Sequence, residues 1–172
     1  MPTIPIIQGE HAVVKEADTV ISTLLGSCIA VCLHDAERRL GGMNHFLLGE
    51  PSPGQQLSES DMQRYGVHAM ELLINATMKA GAQRANLRAH LYGGANIIAG
   101  LGGIGTANAA FAKRFLETEG IAIGHCDTGG TKARKVEFRP YDGKIRARCV
   151  ADKPPTVVVP SAPQHGGEIE LF

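Results

Sequence analysis

The stretch "ISTLLGSCIAVCLHD", Ile21 to Asp35, decides the fold and raises the main question about function. Its apolar and β-branched residues are typical of buried strands. A Gly-Ser step at Gly26 and Ser27 precedes Cys28, and glycine allows the backbone to turn sharply there. Cys28 can therefore be a packed apolar residue, a metal ligand, half of a disulfide or a nucleophile.

The segments around this stretch predict an α+β domain. Apolar runs predict strands over 11–15, over 19–33 and, after a turn, over 43–49. Helical periodicity, strand alternation and turn residues predict the rest: a helix over 61–80 capped by Ser60, a strand over 86–92, a helix over 106–119, a strand over 121–125 and a hairpin over 135–150. This order suits a sheet core covered by helices.

Length and charge limit the functions to consider. The chain has 172 residues, and we expect one domain over residues 1–152 followed by a flexible, proline-rich tail over 153–172. Lysine plus arginine and aspartate plus glutamate number 17 each, so no net charge attracts nucleic acid or an anionic membrane. The sequence has no apolar run of membrane-spanning length and no secretory signal pattern. We expect a cytoplasmic protein with free thiols.

The spacing of Cys28 and Cys32 argues against two of the four alternatives. In a strand, residues four apart share a face but lie roughly 13 Å apart, which is too far for one metal ion or one disulfide. The other three cysteines, Cys32, Cys126 and Cys149, are expected to be packed apolar residues. For Cys28, packing and nucleophilic chemistry both stay open.

A nucleophilic Cys28 needs a base and an oxyanion site. His45 lies on the next predicted strand, and its imidazole could reach the thiol if the two strands pair, while His125 beside Cys126 is an alternative base. The turn at Ser27 and Cys28 offers backbone N–H groups that could stabilise an oxyanion. Structural roles for both side chains remain possible on these residues alone.

The glycine-rich segment matches a dinucleotide-binding pattern only weakly. Gly100, Gly102 and Gly105 have G-x-G-x-x-G spacing, but the match does not follow a strand directly, and Asp127 falls in a turn. We expect a loop that packs backbone closely near the site, and no cofactor.

Several motifs together resemble a known family. "TLLGSCIAVCLHD" followed by "GGMNHFLL", with the histidine 17 residues after the cysteine, resembles the CheD family of chemoreceptor glutamine deamidases. The stretches "LYGGANI", "IGTAN" and "CDTGGTKARKVEFRPYDGKI" resemble further motifs of that family in the same order. The resemblance covers residues 8–150.

The resemblance implies roles for individual residues. Cys28 would be the nucleophile and His45 the general base. The family's third catalytic residue is a threonine six positions before the cysteine, where this chain has Ser22 followed by Thr23. Both hydroxyls remain candidates. The family fold is two packed β-sheets with helices outside, similar to the deamidase domain of cytotoxic necrotizing toxins, and it requires no metal or organic cofactor.

The resemblance also implies a function. Members convert glutamines in the cytoplasmic helices of methyl-accepting chemotaxis receptors to glutamate and release ammonia, and some members bind a CheC-type phosphatase. An alternative is a weakly catalytic or non-catalytic module that docks on receptors or on such a phosphatase. A third alternative, a cysteine peptidase or transglutaminase-like enzyme, would share the thiol chemistry.

Overall fold

The computed structural model describes residues 2–48, 58–97 and 103–150. Gly100, Gly102 and the predicted tail lie outside these residues. The division into a domain and a tail therefore stays a prediction.

Nine strands and two helices form the described part of the chain, together with one short 3-10 turn at Arg84–Asn86. The strands are β1 (Thr3–Pro5), β2 (His11–Val14), β3 (Val20–Leu25), β4 (Ile29–Asp35), β5 (Leu40–Asn44), β6 (Leu87–Gly93), β7 (Ala122–Thr128), β8 (Arg134–Arg139) and β9 (Lys144–Cys149). The helices are α1 (Glu59–Lys79) and α2 (Ile104–Glu119).

The strands form two sheets. Sheet A has the order β1-β3-β8-β9, and sheet B has the order β2-β5-β4-β6-β7. Only the β1–β3 and β6–β7 pairs are parallel among these neighbours. The β8–β9 hairpin predicted around Asp142 and Gly143 is confirmed.

The run predicted as one strand over 19–33 is in fact two strands in different sheets. It breaks at residues 26–28, where the chain leaves β3 of sheet A and enters β4 of sheet B. The missed break has a physical cause: the flanking residues are all apolar enough for a buried strand, and only the Gly-Ser step marks the corner. Cys28 therefore lies at a crossing between the sheets.

Strand β4 contributes to two hydrophobic cores because its side chains alternate between its faces. Ile29, Val31 and Leu33 pack in the core that α1 and α2 cover, whereas Ala30 and Cys32 pack against sheet A. The prediction of an α+β fold with two packed sheets and outer helices is confirmed, and both helices lie against sheet B. The similarity to the toxin domain stays a prediction.

The start of α1 differs from the prediction. The helix begins at Glu59, and its cap is Ser58, whose side chain accepts a hydrogen bond from the Asp61 N–H. The prediction that Ser60 caps the helix was wrong by two residues. Serine occurs at both positions, so the local pattern fitted either cap.

Strand β1 was not predicted. It is three residues long, contains Pro5, and pairs in parallel with β3 through the register Ile4 to Ile21. A short edge strand with a proline has little sequence signature. Its pairing places the segment that follows it, residues 6–10, over the Cys28 corner.

Candidate active site

Cys28 is the last residue of the corner between the sheets. It immediately precedes β4 and is 1% exposed. Its neighbour Ile29 bridges Phe46, with backbone hydrogen bonds in both directions of 2.9 and 2.8 Å. The corner is thus tied directly to the segment that follows β5.

His45 lies in that segment, next to Phe46 and just after β5. The condition for His45 to approach Cys28 is met, since β4 and β5 are antiparallel neighbours. Because Ile29 pairs with Phe46, the residue before it, Cys28, lies opposite Leu47. His45 is then the diagonal neighbour of Cys28 and lies on the same face of the sheet. Both side chains therefore face the space between the sheets.

The Thr23 hydroxyl connects His45 to sheet A. Thr23 Oγ1 lies 2.7 Å from His45 Nδ1 and 2.8 Å from the Ile6 carbonyl oxygen. A hydroxyl has one proton, and the Ile6 oxygen can only accept, so Thr23 donates to Ile6. The His45 Nδ1–H must then donate to Thr23, which leaves Nε2 as the basic nitrogen of the imidazole.

Ser22 lies on the opposite face of the same strand. It pairs with Glu137 of β8, while Thr23 pairs with Val136, and adjacent strand residues point in opposite directions. Its carbonyl accepts a hydrogen bond from the Ile6 N–H. The hydroxyl that contacts His45 is thus five positions before Cys28, not six.

Burial governs the protonation of His45. The residue is 2% exposed, and desolvation lowers the pKa of its imidazole to about 4. Desolvation has this direction because it disfavours the charged imidazolium. His45 is therefore neutral near pH 7, which is the state that a general base requires.

A turn between β1 and β2 lies over the thiol. The Gln8 side-chain oxygen is 3.7 Å from Cys28 Sγ. Backbone hydrogen bonds hold the turn to His45: Gly9 N–H donates to the His45 oxygen at 2.8 Å, and His45 N–H donates to the Glu10 oxygen at 3.1 Å. The turn, the thiol and the imidazole form one connected unit.

Three donors hold the carbonyls of the Cys28 corner. Ala95 N–H donates to the Gly26 oxygen at 3.0 Å, and Gly94 N–H donates to the Cys28 oxygen at 2.9 Å. The Asn108 side chain donates to the Ser27 oxygen at 2.8 Å. Sequence reasoning gave these donors no role, although the quoted motifs "GGAN" and "IGTAN" contain all three of them.

Arg134 supports the loop that carries two of these donors. It comes from the third quoted motif and is 6% exposed. Its guanidinium donates to the Gly93 oxygen at 3.1 Å and to the Gly129 oxygen at 2.8 Å, and it lies 3.4 Å from Asp127. These bonds anchor Gly93, whose successor Gly94 donates to Cys28.

The close-packed loop predicted around the glycines is partly described. Gly105 lies in the first turn of α2, and its N–H donates to the Asn96 side chain. A Cβ at this position would collide with the Gly94 and Ala95 oxygens. Glycine is thus required there for close backbone approach. In the described ranges, no group of three or more His, Cys, Asp or Glu side chains could hold a metal ion.

The alternative base, His125, lies on the edge strand β7. Strands β4 and β6 separate it from β5, and its ring contacts Tyr92 and not the corner. Cys32 is fully buried as predicted, and burial raises the pKa of its thiol. The prediction of a packed Cys149 was wrong, because this residue is exposed at the end of β9.

Residues 47–149 match the family model described as CheD chemotactic sensory transduction. A relative from Zymomonas mobilis, named probable chemoreceptor glutamine deamidase CheD, is 49% identical over 169 residues, covering 98% of this chain and 92% of that protein. The chain belongs to the CheD family.

Other CheD relatives show similar coverage. Proteins of the same name from Caulobacter vibrioides and Agrobacterium fabrum are 46% and 47% identical, covering 97% of this chain and 91% and 94% of theirs. Among solved structures, that of the Neisseria meningitidis protein NMB0706 aligns with a TM-score of 0.43 at 14% identity, covering 86% of this chain and 74% of that one. Neither described helix of this CheD chain is long and apolar enough to cross a membrane.

Proposed function

We propose that this chain is a chemoreceptor glutamine deamidase that uses Cys28 as its nucleophile. The observation that carries the proposal is the Thr23–His45 hydrogen bond beside the buried Cys28 corner, in a chain whose CheD relatives are named for this activity. The site combines a thiol, a neutral imidazole and a hydroxyl that orients the imidazole. These are the groups that a cysteine nucleophile needs to hydrolyse an amide.

The first half of the reaction forms a thioester. His45 Nε2 takes the Cys28 proton, and the thiolate attacks the carboxamide carbon of a receptor glutamine. The Ser27 and Cys28 N–H groups hold the developing oxyanion. His45 then gives its proton to the departing nitrogen, the C–N bond breaks and ammonia leaves.

The second half regenerates the enzyme. His45 takes a proton from water, and the resulting hydroxide attacks the thioester carbon. The C–S bond breaks, Cys28 recovers its proton from His45, and glutamate remains in the receptor. Thr23 acts throughout by keeping the Nδ1–H tautomer of His45, so that Nε2 exchanges the proton.

The substrate and partner assignments follow from family membership. We infer that the glutamines belong to the cytoplasmic region of methyl-accepting chemotaxis receptors, and that the protein works in the cytoplasm. A CheC-type phosphatase is the further partner that we propose. Neither the reaction nor the residues that carry it call for a metal or an organic cofactor.

The test uses the full chain and the cytoplasmic fragment of a chemoreceptor. We expect peptide mass spectrometry to find glutamine-to-glutamate conversion with the wild type and none with Cys28→Ala. Cys32→Ala is the matched control, because this neighbouring buried cysteine has no part in the mechanism. Absence of conversion by the wild type would refute the deamidase assignment, and equal conversion by Cys28→Ala would refute the nucleophile.

The same experiment separates the docking alternative. A docking module predicts that receptor binding persists without conversion in the wild type, whereas a deamidase predicts conversion that Cys28→Ala abolishes without abolishing binding. Binding by the variant is measured in parallel, by co-sedimentation with the receptor fragment.

A further inference from the structure

The peptide unit between Ser27 and Cys28 carries one of the two proposed oxyanion donors. In a planar trans peptide, the C=O and the N–H of the next residue point in opposite directions. The Asn108 side chain holds the Ser27 oxygen at 2.8 Å, so the same contact sets where the Cys28 N–H points. An asparagine 81 residues away in the sequence thus orients this amide.

The orientation of the Asn108 amide is itself determined by its contacts. Asn108 is 1% exposed and lies on the face of α2 that packs on sheet B. The Leu48 N–H donates to Asn108 Oδ1 at 3.2 Å, and an N–H can bond only the oxygen end of the amide. The Nδ2 end therefore faces the Ser27 oxygen, and the side chain cannot flip without losing both bonds.

We propose that Asn108 is a positioning residue that aims the Cys28 N–H at the oxyanion of the tetrahedral intermediate. The inference rests on the proposed function, since it assigns a role within the same site. Of the three donors that hold the corner carbonyls, Asn108 alone acts through its side chain, and the Gly94 and Ala95 donors are backbone groups. A point substitution can therefore remove this donor directly.

Two substitutions separate positioning from packing. Asn108→Asp keeps the shape of the side chain but places a carboxylate oxygen against the Ser27 oxygen, whereas Asn108→Ala removes the contact without repulsion. We expect kcat to fall in the order Asn, Ala, Asp, with Asp lower than the wild type by about 10- to 100-fold, less than the loss of a whole oxyanion donor. The KM should stay within about threefold, because the oxyanion forms only in the transition state.

A second readout distinguishes the amide from the thiol. Alkylation of Cys28 by iodoacetamide depends on the thiolate and not on an oxyanion, so its rate should stay within about threefold of the wild type in both variants. Alkylation is followed on the Cys28 peptide, because the exposed Cys149 also reacts. The folded fraction of each variant is measured separately by urea unfolding, and kcat is expressed per folded molecule.

Asn86→Asp is the matched control. In the wild type, Asn86 Nδ2 lies 3.3 and 3.4 Å from the two side-chain oxygens of Asp35, which is at the opposite end of β4 from Cys28. A carboxylate at position 86 would repel Asp35 and destabilise the fold away from the site. The kcat of this variant per folded molecule should equal the wild-type value. A wild-type kcat in Asn108→Asp, or a parallel fall in the alkylation rate, would overturn the inference. An inactive wild type would instead overturn the proposed function.

Discussion

The Thr23 hydroxyl and the His45 imidazole, 2.7 Å apart, join the two sheets at the candidate active site. Thr23 lies on β3 of sheet A, and His45 follows β5 of sheet B. Because Thr23 also donates to the oxygen of Ile6, the residue that follows β1, its position is set by that segment as well. The tautomer of the proposed base thus depends on how the sheets pack.

Removal of the Thr23 hydroxyl should impair catalysis. Thr23→Val keeps the shape of the side chain but cannot accept the Nδ1–H of His45, so the imidazole loses its orienting partner. We expect kcat/KM for receptor deamidation to fall by about 10- to 100-fold, the usual range for an impaired general base. Thr23→Ser should retain most of the activity, because it keeps the hydroxyl.

Ser22→Ala provides the control for this prediction. It removes the adjacent hydroxyl, which lies on the other face of β3, and kcat/KM should stay within about threefold of the wild type. If Ser22→Ala were the inactive variant and Thr23→Val the active one, Ser22 would be the residue that orients His45. Ser22 occupies the position of the family's catalytic threonine, six residues before the cysteine.

Burial of His45 should make the stability of the protein depend on pH. The pKa of His45 is lowered to about 4 in the folded state, against about 6.5 for an unfolded chain. As pH falls below 6.5, the unfolded state gains a proton that the folded state does not, so the free energy of unfolding decreases. Between pH 7 and pH 5 this residue should remove about 2 kcal/mol.

Urea unfolding of the Cys28→Ala protein at the two pH values measures this effect without the thiol in the site. When His45→Gln is added to this variant, the decrease in the free energy of unfolding between pH 7 and pH 5 should be smaller by about 2 kcal/mol. His68→Gln, which removes an exposed histidine of α1, is the control. An unchanged pH dependence in the His45→Gln protein would show that His45 titrates alike in both states.

Gly93 should not tolerate a side chain. Its φ is +110°, and a Cβ there would collide with the Cys28 oxygen and lie 3.2 Å from Leu25 Cδ1. Gly93→Ala should therefore displace the Cys28 corner and lower kcat/KM by about 100-fold, the cost of roughly 1 Å at a reacting group.

Gly120→Ala separates this collision from backbone strain. Gly120 ends α2 with a φ of +73°, and a Cβ there would meet no atom within 4 Å. Its substitution should cost about 1 kcal/mol of stability with little loss of activity. Equal activity losses in the two variants would mean that left-handed strain, and not contact with the corner, explains the effect at Gly93.

The sequence by itself determined much of this protein. Apolar runs and one alternating segment predicted most strands, and helical spacing predicted both helices. The Gly-Ser step with the ordered motifs led to the CheD family and to Cys28 and His45. These features are local, or repeat along the chain, and local patterns reflect backbone propensity and burial directly.

Tertiary structure decided the rest. The chain passes from one sheet to the other at Gly26 and Ser27. Thr23 and Ser22 lie on opposite faces of β3, and α2 places the Asn108 side chain at the Ser27 oxygen. Such contacts join residues far apart in the sequence, and a shift of one residue in a strand reverses the face that a side chain occupies. Spacing alone therefore names candidate hydroxyls and amides, and only the packing of the sheets and α2 determines which of them meet.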